Sequence, residues 1–280
     1  MKLSFLFCLF TAAASGQNEQ QASLAFVSHL SKDGRHQEAI RMLYIERALY
    51  QADTFNFNLA RQYHLLRKAD SASAIFSRVS PVSAFGTAAR FGAALNFIYL
   101  NDPEKARTEL ETITDTALGN MELRQLTLAG IALLQREEAR FDSIAQYFRF
   151  TSYLVSSEER TLVDLRKRVS AKRRKSAIAA AGLSAIVPGL GKIYAGRKGA
   201  GLASMLASSV LAGIAAETYF RGGAQSAQFI TAGALFGVFY AGNIVGSYYS
   251  VRQQKKTETG KFDNEILATI HLPIHRRFLY

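Results

Sequence analysis

Apolar positions recur at helical spacing through the first half of the chain and become nearly continuous after residue 176. Val27, Leu30, Gly34, Ala39 and Leu43 are matched at identical intervals by Ala60, Tyr63, Arg67, Ala72 and Phe76, then by Ala94, Phe97, Asn101, Ala106 and Leu110. The corresponding alanines lie 33 and 34 residues apart, and a looser fourth copy runs through Ala132, Gln135, Ala139, Ile144 and Phe148. Turn-forming stretches at Lys32-Asp33-Gly34, Lys68-Ala69-Asp70 and Asn101-Asp102-Pro103 divide the copies into helix pairs. Asp102 is placed to cap the helix that Pro103 opens. From 176 to 250 only Lys192, Arg197, Lys198, Glu217 and Arg221 carry charge. Gly199–Ala216 is an uncharged run of 18 residues and Gly222–Val251 one of 30. Each can cross a bilayer, for which about 20 mostly apolar residues suffice. The Arg221-Gly222-Gly223 turn makes them a hairpin, with Tyr219, Phe220, Tyr248 and Tyr249 at interfacial positions.

The repeat resembles the tetratricopeptide unit of about 34 residues. Gly34, Ala39, Ala60, Tyr63, Ala72, Phe76, Ala94 and Ala106 carry the resemblance over roughly half the chain. A small residue lets paired helices approach, and the larger one four positions later fills the space between them. Glu46 and Gln135 depart from the family pattern, which prefers apolar or aromatic residues there, and the chain has no tryptophan. The resemblance implies a helical solenoid with a concave surface that binds a protein or peptide. In that register Phe57, Arg61 and His64 point into the groove from the second repeat, and Phe91 and Leu95 from the third. The phenylalanines would suit an apolar partner side chain and Arg61 an acidic group. The competing reading packs the phenylalanines in the core and leaves the polar residues on a solvated face.

Ahead of the hairpin, Pro188-Gly189-Leu190-Gly191-Lys192-Ile193-Tyr194-Ala195-Gly196, followed by Gly201, is similar to a Pro-Gly-x-Gly-x-x-Tyr-x-Gly signature of small bacterial membrane modules. It is more distantly similar to two-transmembrane modules. The resemblance spans about 75 residues, with Pro188, Gly189, Gly191, Tyr194, Gly196 and Gly201 matching, and implies architecture rather than chemistry. Lys192 replaces the usual glutamine or polar residue before the tyrosine. Small residues promise close helix approach in lipid: Gly233-x-x-x-Gly237 and Gly242-x-x-x-Gly246 in the second span, and Ala203, Ser204, Ser208 and Ala212 in the first. Asn243, the most polar side chain deep in a span, is placed to hydrogen-bond across the pair. Ser176–Gly191 remains open as a third span, although its 16 residues make only about 24 Å of helix.

The formal charge of +12 includes seven cations close together, Arg166, Lys167, Arg168, Lys172, Arg173, Arg174 and Lys175. Their place beside an apolar segment suits anionic lipid head groups rather than nucleic acid. Lys2, the apolar stretch Leu3–Ala14 and Ala14-Ser15-Gly16 read as a secretory signal. That places the repeat domain outside the inner membrane of a bacterium. The single cysteine, Cys8, falls inside the signal, so disulfides, thiolate metal sites and cysteine catalysis are excluded from a processed chain. His271 and His275 flank Pro273 without a third ligand nearby, and Gly191-Lys192 is followed by Ile193 rather than the Ser or Thr of a phosphate loop. No catalytic triad, carboxylate pair, cofactor motif or metal set is present. The expected architecture is all-α: signal 1–16, tetratricopeptide-like domain 17–165, basic linker 166–175, membrane module 176–251 and polar tail 252–280, with Ile266–Ile274 a short strand. The expected function is a membrane-anchored scaffold for a protein or peptide partner. The alternative is a transport or assembly factor whose activity resides in the hairpin.

Overall fold

The computed structural model describes residues 18–171 and 175–279. The signal segment and Lys172, Arg173 and Arg174 of the basic cluster lie outside the described residues. Helix is the only regular secondary structure among those described. The chain divides into two compact units, 1–166 together with 265–280, and 167–264.

The first unit begins with helices α1 (18–32) and α2 (His36–Ile45). They are followed by α3 (Ala52–Leu65), α4 (Ala69–Phe76), α5 (Gly86–Tyr99), α6 (Pro103–Glu111), α7 (Leu118–Leu134), α8 (Glu138–Ala145) and α9 (Ser156–Ala171). The first helix of each of the four pairs ends in the same way. Gly34, Arg67, Asn101 and Arg136 all adopt positive φ, between 58° and 74°. The next N–H in each case reaches back to the final turn: Arg35 to the Leu30 carbonyl, Lys68 to Tyr63, Asp102 to Phe97 and Glu137 to Ala132, at 2.8–2.9 Å. This left-handed C-cap satisfies carbonyls that a helix end otherwise leaves bare. In the third pair Asp102 also caps the helix it precedes, accepting the Lys105 N–H at 3.2 Å.

These turns put the fourth pair in a different register from the sequence alignment. Arg136 is the equivalent of Gly34, Arg67 and Asn101, so Phe141 and Ala145 stand where Ala39 and Leu43 stand in the first pair. The alignment through Gln135, Ala139 and Phe148 is displaced by three residues. The cause is a swap of sizes, because the fourth pair places the large side chain where the others place alanine. Phe141 is fully enclosed, as are Ala39, Ala72 and Ala106. Close approach elsewhere is equally specific: a Cβ on Gly92 of α5 would stand 2.8 Å from the Phe76 ring of α4.

Polar side chains tie the helices together within and between pairs. Arg90, 9% exposed at its side chain, pairs with Glu109 at 2.5 Å and donates to the Val79 carbonyl at 2.6 Å. Arg107 bridges to Glu137 at 2.6 Å and to Gln135. Glu46 accepts from Ser23, which also bonds Tyr50. Glu46 and Gln135, polar where the tetratricopeptide pattern prefers apolar residues, thus have polar partners within the fold.

The second unit contains α10 (Ala177–Ile186), α11 (Leu190–Tyr194), α12 (Lys198–Gly222) and most of α13 (Ala227–Ile274). Two helices are long and apolar enough to cross a membrane, Lys198–Gly222 with mean hydropathy 1.6 and the helix starting at Ala227 with 1.5. Ser176–Gly191 is not one continuous helix. The ten residues of α10 rise about 15 Å, and the chain breaks at Pro188 and Gly189, whose φ is +93°. The strand expected at Ile266–Ile274 is also absent. Those residues continue α13 and pass into a π-turn at His275–Leu279. Pro273 removes a single hydrogen bond in the last turn, and burial of Ile266, Ile270, Ile274 and Leu279 outweighs that loss, about 3 kcal/mol in a helix interior.

Candidate functional site

The first unit presents a face built from α3, α5 and α7, the first helices of pairs two to four, and the segment 265–279 lies on it. Ile270 fills the notch left by Gly130 of α7, where any Cβ would overlap its side chain. Phe278 stacks on Phe91 of α5, with ring centres 5.2 Å apart and planes 17° from parallel. Arg277 donates to Asn120 Oδ1 at 2.8 Å. Asn120 in turn donates to Asp115 at 2.6 Å. The Asp115 carboxyl is held below the usual range, first by the Ala117 N–H, then by the Asn120 amide and the Thr87 hydroxyl, with Arg277 adding to it. Arg276 reaches Glu158 of α9 at 3.4 Å.

Three histidines meet at the centre of this contact. His64 of α3 lies with its ring centre 6.3 Å from His271 and 6.1 Å from His275, and the latter two are 5.1 Å apart. His64 Nδ1 bonds Asn96 Oδ1 at 3.1 Å. His271 Nδ1 bonds the Tyr99 hydroxyl. Burial lowers the pKa of His64, with the His275 charge adding to the effect and the Asn96 bond opposing it. Burial also lowers His271, reinforced by the other two rings, and lowers His275. The Tyr99 hydroxyl is pushed up to about 12 by burial.

Of the residues read from sequence as partner-binding, His64 and Phe91 touch the segment. Phe57 does not: it packs at 4.8 Å on Phe85 and 5.8 Å on Phe76 inside the helix pairs. Leu95 is fully buried. Arg61 is partly buried on α3 with its Nε lacking a hydrogen-bond partner. Tyr99, Asn96, Asn120, Gly130 and Glu158 were not legible as site residues. For the segment itself, the four-residue spacing of Ile266, Ile270 and Ile274, and of His271 and His275, is the helical signal that Pro273 outweighed.

The glycine motif organises the second unit. Gly189 approaches the Gly201 carbonyl too closely for a side chain, Gly191 does the same to the Ala180 carbonyl, and Gly201 receives Ile193. Gly196 ends α11 at φ +87°. The Tyr194 hydroxyl accepts the Ser176 N–H at 3.2 Å. Pro188 supplies the break that lets α11 fold back. Lys192 turns its amine inward, to Ser204 Oγ at 2.6 Å and Asn243 Oδ1 at 2.8 Å, and Asn243 donates onward to Ser208 at 3.2 Å. Ser184 bonds Ser247 at 2.7 Å and accepts the Gly191 N–H at 2.9 Å. The contact therefore runs along a seam of serines and Asn243, and of the four spaced glycines Gly246 alone comes near it, with Lys192 Cε 3.5 Å from where its Cβ would stand. Gly233, Gly237 and Gly242 meet no neighbour within 4 Å, and Ala203 and Ala212 are exposed.

Compared with protein-family models, curated proteins and solved structures, the chain matches none. Among the described residues no group of three or more potential ligands is placed to hold a metal ion.

Proposed function

We propose that this chain is a membrane-anchored scaffold whose tetratricopeptide-like solenoid receives a protein or peptide partner on the α3–α5–α7 face, while α12 and α13 hold it in a bacterial inner membrane. The observation that carries this reading is the helical segment already seated on that face. Its notch at Gly130, aromatic platform at Phe91 and polar rim at Asn120 and Glu158 are the features a helix-binding groove requires. The seam around Lys192 and Asn243 gives the hairpin a reason to stay paired, which fits an anchor.

The same reading favours an even number of membrane crossings. Residues 265–279 pack within the unit that holds 18–166, so the intervening chain leaves and regains one side. Two spans meet that condition and three do not.

The test is partner recovery by the full-length chain in mild detergent. His64→Ala and Tyr99→Ala should remove a bound protein from the extract, while Tyr44→Ala, at a side chain exposed elsewhere, should leave it. Recovery indifferent to both face substitutions would sink the proposal.

A further inference from the structure

The resident segment leaves part of the face's chemistry unused. Arg61 stands one helical turn before His64 on α3, and Arg124 one turn after Asn120 on α7, so each shares a stripe with a residue that touches the segment. The Nε atoms of both are buried without a hydrogen-bond partner. Burial lowers the Arg61 pKa with no opposing acidic contribution. The segment contains no Asp or Glu between Ile266 and Leu279, so it fits the face by shape and leaves two guanidinium groups without a counter-charge.

Both side chains are half-buried, and a carboxylate offers a guanidinium whose Nε has no partner a bidentate, charge-assisted one. Resting on the scaffold reading, we propose that the occupant this face is built for is an acidic amphipathic helix of a partner protein. It would repeat the four-residue aliphatic spacing of Ile266, Ile270 and Ile274 and carry carboxylates opposite Arg61 and Arg124. The segment 265–279 is then a resident stand-in that such a helix displaces. Part of it lies at an accessible rim: Arg276 is 61% exposed at its side chain and Leu272 57% exposed. Covalent connection to α13 raises its effective concentration, so a competitor must bind the face more strongly, and the two arginines supply the means.

The experiment uses the full-length chain in detergent micelles and two fluorescent peptides spanning residues 263–279. One has the native sequence, and the other carries His271→Glu and His275→Glu. The glutamate peptide should bind about tenfold more tightly or better, and the double variant Arg61→Gln, Arg124→Gln should erase that difference while leaving the native peptide unaffected. Equal affinities, or a gain that survives the double variant, overturn the acidic partner. Ile270→Asp, and the milder Phe278→Ala, loosen the resident segment and should admit both peptides more readily. If the native peptide binds these variants and the carboxylates add nothing, only the acidic partner falls. If neither peptide binds either variant while circular dichroism shows them folded, the scaffold reading falls as well.

Discussion

His64, His271 and His275 bring three ionisable rings into one contact, with Tyr99 and Asn96 as their hydrogen-bond partners. The nearby cations are Arg61, one turn before His64, Arg67, whose charge acts on Tyr99, and Arg276 and Arg277, which follow His275 in the chain. All three histidines have pKa values lowered from the ordinary 6.5 when the segment is docked. The released state therefore binds more protons as pH falls below 6.5. Docking is fully favoured above that value and weakens below it, by up to about tenfold per histidine per pH unit until the depressed values are passed. Hydrogen exchange of residues 265–279 in the full chain should accelerate, relative to α2, between pH 7 and 5.5 after correction for intrinsic rates. His271→Gln with His275→Gln should flatten that dependence, and a slope unchanged by these substitutions would refute it. Arg90 is buried against Glu109. Removing its carboxylate with Glu109→Ala leaves a buried charge, and should lower the stability of the helix pairs by about 3 kcal/mol in urea. The exposed pair Arg35–Glu38 should contribute no more than about 0.5 kcal/mol.

At the scale of elements, the hairpin is held by a polar seam in apolar surroundings. Asn243 accepts from Lys192 and donates to Ser208, so Asn243→Leu leaves Lys192 with Ser204 alone, takes the amide donor from Ser208 and should cost about 1–2 kcal/mol of hairpin stability. An SDS titration of the detergent-solubilised chain reads this, with Ser209→Leu, on an exposed position of α12, as the neutral control. A transport role for Asn243 would instead show as lost activity with unchanged hairpin stability. The helix pairs were legible in the sequence because three of them repeat the same small residue and the same left-handed turn position at Gly34, Arg67 and Asn101. The fourth was misregistered because Phe141 and Ala145 reverse the usual order of sizes. The glycine spacing in α13 suggested a close helix contact that the serines make instead, since hydrogen bonding selects a face as effectively as small volume does. Gly130 gave no local signal, because the side chain that needs its missing Cβ is Ile270, 140 residues away. Lys192 showed in the sequence only as a departure from the glycine motif, because its turn into the seam depends on the fold-back that Gly189 and Gly191 permit.

For the whole molecule, the contacts of 265–279 with α3, α5 and α7 limit how the chain could meet a membrane. A domain before the spans and a segment after them can pack together only on one side, whichever side that is. Single cysteines at Asp70 and Leu272, both exposed, in a chain with Cys8 replaced by alanine, test this with a membrane-impermeant maleimide. Both probes should give the same result in intact cells. The proposed secretory signal predicts that both label, since a signal would direct the first unit outward and a long domain is translocated largely regardless of its charge. That orientation opposes the bias from Arg197 and Lys198 at one end of the hairpin and Arg252, Lys255 and Lys256 at the other. If both probes are protected until lysis, the charge bias prevails, the signal reading is lost and the partner belongs in the cytoplasm, with the even number of spans intact. If Asp70 labels and Leu272 does not, the segment cannot rest on the helix pairs in the inserted protein. Ser176–Gly191 would then have to cross the bilayer despite the break at Gly189, and the α3–α5–α7 face would stand open to its partner.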